Sequence, residues 1–168
     1  RLINSSGPTK GEIVLPENSK KPKSITYVLC VGSRDEDACS WCCRIGCMSA
    51  LKQIYLIREK LGSDVEINLC YTDIRSYGKG YEEFYRKIRG VKTNMFRGRP
   101  SEVRKNPENL TVEVFDTMTS KLYEIKSDMV VLVPALTART DVKDLAKKLR
   151  ISQSDDGFFL EAHPKLKP

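Results

Sequence analysis

Five of the six cysteines in this 168-residue chain fall within eighteen residues, at Cys30, Cys39, Cys42, Cys43 and Cys47, while Cys70 stands apart. Thiolates at such spacing bind soft metals, exchange electrons as dithiols, or simply pack as small apolar side chains. Four readings stay open on spacing alone. An iron–sulfur cluster needs four soft ligands around one cavity, and the stretch from Cys30 to Cys47 offers five. Zinc wants a tetrahedron, commonly from two pairs of cysteines separated by two to four residues; Cys39-Ser40-Trp41-Cys42 makes one such pair and a second is not evident. The same C-x-x-C beside a βαβ unit suits a redox dithiol. Structural thiols are the plain reading of each cysteine singly and a poor one for five together. Cys70, inside an apolar run, is expected to be a core thiol.

The elements that must position these residues can be read from periodicity. Residues 25–31 (ITYVLCV) form a nearly continuous apolar run, as a strand buried on both faces requires. Met48, Leu51, Ile54, Tyr55, Arg58 and Leu61 recur at helical spacing up to Gly62, so a helix is expected from near residue 42. Residues 65–71 read as a second strand, 80–89 as a second helix ending at Gly90, and 92–97 as a third strand. This β-α-β-α-β order predicts an open parallel sheet. Residues 110–116 and 122–126 then alternate like antiparallel strands joined near Thr119 and Ser120, and 129–133 (MVVLV) is another buried strand.

The expected class is therefore α/β: a Rossmann-like, NAD-binding-type domain as found in two-dinucleotide-binding flavoproteins, with a β-α-β-α-β core plus a β-meander. Residues 1–23, rich in Gly, Pro, Ser and Lys, read as an N-terminal connector with a short strand at 12–15. Residues 24–134 read as the cysteine-bearing domain. Residues 135–168, with a short helix near 142–149, read as an exit segment that would belong to an absent FAD domain.

A dinucleotide site needs glycines where the first strand turns into the first helix, so that the pyrophosphate can approach the helix N-terminus. That turn, from Cys30 to Cys47, holds only Gly32 and Gly46. No intact NAD site is expected. Asp73 stands where a ribose-binding acid would, but a turn or capping role explains it equally. Cysteines fill the turn instead, next to a helix start whose partial positive charge lowers thiol pKa and favours a bound anionic cluster.

Composition narrows the partners. A net charge of +7 allows attraction to phosphates or acidic surfaces, yet the charges are scattered. The densest basic stretch, 97–105, lacks the interleaved aromatics that stack bases, so no nucleic-acid partner is expected. The longest apolar stretch, 129–136, is too short to span a bilayer, and no signal peptide precedes the first strand. A cytoplasmic protein is the expectation. His163, the only histidine, is a poor catalytic candidate.

Several segments together resemble one family. They are C30-VGSRDE, C42 to C47-M-SALKQ, DIRSYGKGYEEFYRKIR, RGRPSEVR and DGFFLEAHPKL, and they are similar to the A-type subunits of heterodisulfide reductase and their relatives over nearly all of residues 24–168. The resemblance implies an iron–sulfur flavoprotein with FAD on a thioredoxin-reductase-like core, of which the Gly-rich FAD segment has no counterpart here. It implies a four-cysteine cluster passing electrons toward disulfide-reducing partner subunits or an electron carrier. Its pattern puts ligands at Cys30, Cys42 and Cys47 and at a position occupied here by Gly46. Cys43 is the expected substitute, with Cys39 the alternative, and a [4Fe–4S] cluster is the expected cofactor. On this reading Cys43 faces Cys47 across one helical turn. Lys79, Gly80 and Tyr81 lie in a family-like loop that would face the flavin, or form a turn and helix start. The implied function is an electron-transfer module of an oxidoreductase, inactive alone. The alternative is a non-catalytic docking domain stabilised by zinc or disulfides.

Overall fold

The computed structural model describes residues 2–161, which form two compact units: residues 2–31 with 43–134, and residues 32–42 with 135–161. His163 lies outside the described residues. In the first unit, β1 (Ser24–Val31), β2 (Glu66–Tyr71), β3 (Asn94–Arg97) and β7 (Met129–Pro134) form a four-stranded sheet in the order β3-β2-β1-β7. Every pairing in it is parallel. Helices α1 (Gly46–Leu61) and α2 (Tyr81–Arg89) connect the first three strands. A second sheet is an antiparallel meander of β4 (Pro100–Lys105), β5 (Leu110–Asp116) and β6 (Lys121–Ser127). The expected α/β class with a parallel core and meander is what forms.

The central strand β1 explains the layering. Its six inner residues are buried because β2 and β7 flank it and both faces are covered. On one face Ile25, Tyr27 and Leu29 pack with Ala50, Leu51, Ile54 and Ile57 of α1 and with Ile67 and Leu69 of β2. On the other, Val28 and Cys70 pack with Val112, Val114 and Ile125 of the meander. Each Val, Leu or Ile among them, taken fully from water, contributes about 1.5–3 kcal/mol. Helix α1 ends at Gly62, whose φ of 75° and N–H donated to the Arg58 carbonyl (2.9 Å) close the last turn. The Arg58 guanidinium then donates to the Val65 and Lys92 carbonyls, fastening the entries to β2 and β3.

Four details depart from the sequence reading. Helix α1 begins at Gly46 rather than near residue 42, because Arg44 adopts a left-handed φ of 62° that no helix continues through. Cys43 is therefore not helical. Residues 12–15 form no strand, although Ile13 is buried in the core and Lys60 Nζ donates to the Ile3 and Gly11 carbonyls (3.1 and 2.6 Å). The basic stretch 100–105 is a strand: its exposed side chains hide it from any hydrophobic pattern, and backbone pairing with β5 creates it. The third strand starts at Asn94 rather than residue 92.

In the second unit, α3 (Val142–Leu149) forms where expected, and Gln153 bridges Phe159. No helix among the described residues is long and apolar enough to cross a membrane.

Candidate cysteine site

The strand end that carries Cys30 is irregular. Pairing of β1 with β7 shifts register between Val28 and Val31, and Cys30 has φ 58°. Side chains alternate between faces along a regular strand, which would send Cys30 to the meander side with Val28. The bulge cancels that alternation. Leu29 and Cys30 both pack in the α1-side core, and Val31 returns to the meander side. Cys30 thereby joins the core cluster that contains Cys47, on the first turn of α1.

That helix start has an unusual cap. Ile45 stands at the N-cap, offers no side-chain acceptor, and no acidic residue occupies the first turn. The first-turn amides thus lack the side-chain partner that Ser, Thr, Asp or Asn would provide, an arrangement favourable to a negative charge placed there. Before it, the Ile45 N–H donates to the Cys43 carbonyl (2.8 Å) across left-handed Arg44, closing a three-residue turn. This turn replaces the helical facing of Cys43 and Cys47 that the spacing suggested.

Cys30, Cys43 and Cys47 are all buried, at 8, 9 and 6% exposure, and none of the six cysteines is in a disulfide. The Cys47 thiol donates to the Asp73 carbonyl at 3.7 Å. One residue earlier, the buried Thr72 hydroxyl has no hydrogen-bond partner among the described residues. Soft buried sulfurs beside an uncapped helix start are compatible in chemistry with thiolates carrying negative charge. Among the described residues no group of three or more His, Cys, Asp or Glu side chains is drawn together to hold a metal ion. Cys70 differs in kind. It lies on the opposite face of the sheet at 0% exposure, and burial pushes its thiol up to about 12. A thiol so protonated is inert.

Cys39 and Cys42 belong to the second unit, in a loop that closes on itself. Cys39 N–H donates to the Gly32 carbonyl (3.2 Å), and Asp35 N–H to the Cys39 carbonyl (3.0 Å). Both Arg34 N–H and the Ser33 hydroxyl donate to the Trp41 carbonyl, at 3.0 and 2.7 Å. Trp41 Nε1 donates to the Leu136 carbonyl (2.9 Å), so its indole is a structural anchor of this unit.

Lys79, Gly80 and Tyr81 form the entry to α2. Gly80 is the N-cap with φ 77°, and the Phe84 N–H donates to its carbonyl. All three residues are exposed. The Tyr81 ring closes over Gly78 and meets Tyr77 edge-on with centroids 6.4 Å apart. The Asp73 carboxylate pairs with Arg75 at 3.3 Å. One feature escaped the sequence reading: the bulge at Cys30, for which no local signal exists.

No family model matches the chain. Its whole length is 47% identical to a protein of Methanocaldococcus jannaschii named as the iron-sulfur A subunit of CoB–CoM heterodisulfide reductase. It is 45% identical to the A subunit of the H2/formate:CoB-CoM heterodisulfide,ferredoxin reductase of Methanococcus maripaludis. In both cases the chain spans 26% of the relative's length. Among solved structures, thioredoxin reductase of T. acidophilum overlaps 82% of this chain and 38% of its own at 14% identity, with a TM-score of 0.45.

Proposed function

Since the chain is homologous, end to end, to about a quarter of the A subunit of heterodisulfide reductase, we propose that it carries the cluster-binding part of an electron-transferring oxidoreductase. Cys30, Cys42, Cys43 and Cys47 are the thiolates we assign to a [4Fe–4S] cluster, with Cys39 the alternative to Cys43. Such a cluster, when bound, accepts and releases one electron at a time. The chain's own residues would do the rest. The bulge puts Cys30 in the core cluster that holds Cys47, and the uncapped amides of α1 favour negative charge. The turn of Lys79, Gly80 and Tyr81, exposed and flanked by Tyr77, is the segment we assign to face FAD bound by the rest of the whole protein. Other subunits of a heterodisulfide-reductase-like complex, or an electron-carrier protein, are the partners proposed, in the cytoplasm.

The observation that carries this reading is 47% identity, along the whole of this chain, to about a quarter of a named iron–sulfur protein, joined to a bulge that places Cys30 in the core cluster of Cys47. Iron and acid-labile sulfide measured after anaerobic reconstitution test it. Near-equal iron and sulfide, lost in Cys30→Ala, Cys42→Ala and Cys47→Ala and kept in Cys70→Ala, is the expected result. Zinc without sulfide would favour a docking domain instead, and full iron retention in Cys30→Ala would defeat the assignment.

A further inference from the structure

Gly46, the first residue of α1, is buried, and its backbone is not one that calls for glycine: it is absent from the residues with positive φ. The space calls for it. A Cβ built on Gly46 would stand 2.9 Å from Cys43 Sγ and 2.7 Å from Val133 Cγ1, closer than real Cβ atoms approach any atom. The left-handed Arg44 is a second unfavourable choice, and both choices have the same consequence. Arg44 folds the chain back so that the Cys43 carbonyl receives the Ile45 N–H, and the missing Cβ at 46 lets the Cys43 sulfur settle against the first turn of the helix.

We infer that the Cys43 thiol takes the place of a side chain at residue 46, so that Cys43 rather than Cys39 supplies the fourth thiolate at the start of α1. Residues 43 and 46 are then two alternative origins for one sulfur position, and Gly46 is the residue that hands it to Cys43. This inference rests on the cluster proposed above, and its steric half stands without it.

The test uses the 168-residue chain, reconstituted anaerobically with ferrous iron and sulfide, reading iron and sulfide per chain and the electron paramagnetic resonance signal after reduction. Cys43→Ala and Cys43→Ser should lose most bound iron, and Cys39→Ala should keep it. The swap Cys43→Ala with Gly46→Cys should recover more than half of the wild-type iron and a similar signal. Independently of iron, Gly46→Ala should lower the thermal midpoint of the metal-free chain, and adding Cys43→Ala should return part of that loss. Iron kept in Cys43→Ser, or lost in Cys39→Ala, overturns the inference, as does a folded swap variant that recovers none. If the swap does not fold, the serine and Cys39 variants decide between the two thiols. A wild-type chain that takes up no iron defeats the cluster reading itself, while the paired Gly46 and Cys43 midpoints still report whether the sulfur occupies that space.

Discussion

Leu29 and Cys30 are consecutive in β1 and pack in the same core, on the side of the sheet covered by α1. A regular strand forbids this, and the left-handed φ of Cys30 is what permits it. Side chains branched at Cβ tolerate that backbone worst. Cys30→Val should therefore destabilise the metal-free chain by about 1–3 kcal/mol more than Cys30→Ala, although valine restores more buried volume. Urea midpoints measure the order, and a valine variant as stable as the alanine one would show that the bulge is not strained.

The Cys70 thiol gives the fold an alkaline weakness. Below about pH 9, the ordinary value, it is protonated both folded and unfolded, and its contribution is fully present. As pH rises from there toward about 12, the unfolded thiol ionises while the buried one does not, so stability falls. Three pH units correspond to roughly 4 kcal/mol at completion. Tyr27, also raised by burial, acts in the same direction at higher pH. Cys70→Val removes the cysteine part. The urea midpoint of the wild type should drop more steeply than that of the variant between about pH 9 and the onset of tyrosine ionisation, and parallel curves would contradict the assignment.

Gly98 marks a close approach between the start of the meander and β5. A Cβ there would lie 2.1 Å from the Phe115 carbonyl oxygen, which is backbone and has little room to move. Gly98→Ala is expected to cost upward of about 2 kcal/mol. Gly90 is the useful contrast: it closes α2 with φ −76°, its nearest prospective neighbour is 3.4 Å away, and alanine there should be neutral or stabilising by about 0.5–1 kcal/mol. Equal melting temperatures for the two variants would refute the steric account.

Nicotinamide dinucleotides should bind poorly. The turn after β1 carries cysteines and a self-closed loop where a phosphate cradle would need its glycines. Calorimetry with NADH and NADPH should give dissociation constants no tighter than the millimolar range; a micromolar value, about −8 kcal/mol, would require a formed phosphate site.

Much of this protein is local information. The apolar run of β1, the helical spacing from Met48 to Leu61 and the glycines at 62 and 90 specify the parallel core because burial on two faces, or on one helical stripe, must appear as a pattern along the chain. The crowding of five cysteines at the turn after β1, and the lack of a glycine loop there, were equally legible. What no window of sequence contains is where a strand loses register or a helix truly begins. Strand β4, with its exposed charged residues, exists because β5 offers it backbone partners. Cys30 reaches the α1 side because pairing with β7, about a hundred residues away, slips by one step. Cys43 meets Gly46 because Arg44 turns left-handed and Val133 closes the space behind. Each of these is a contact between segments distant in the chain or a backbone choice enforced by packing, and such terms are decided only when the tertiary structure assembles.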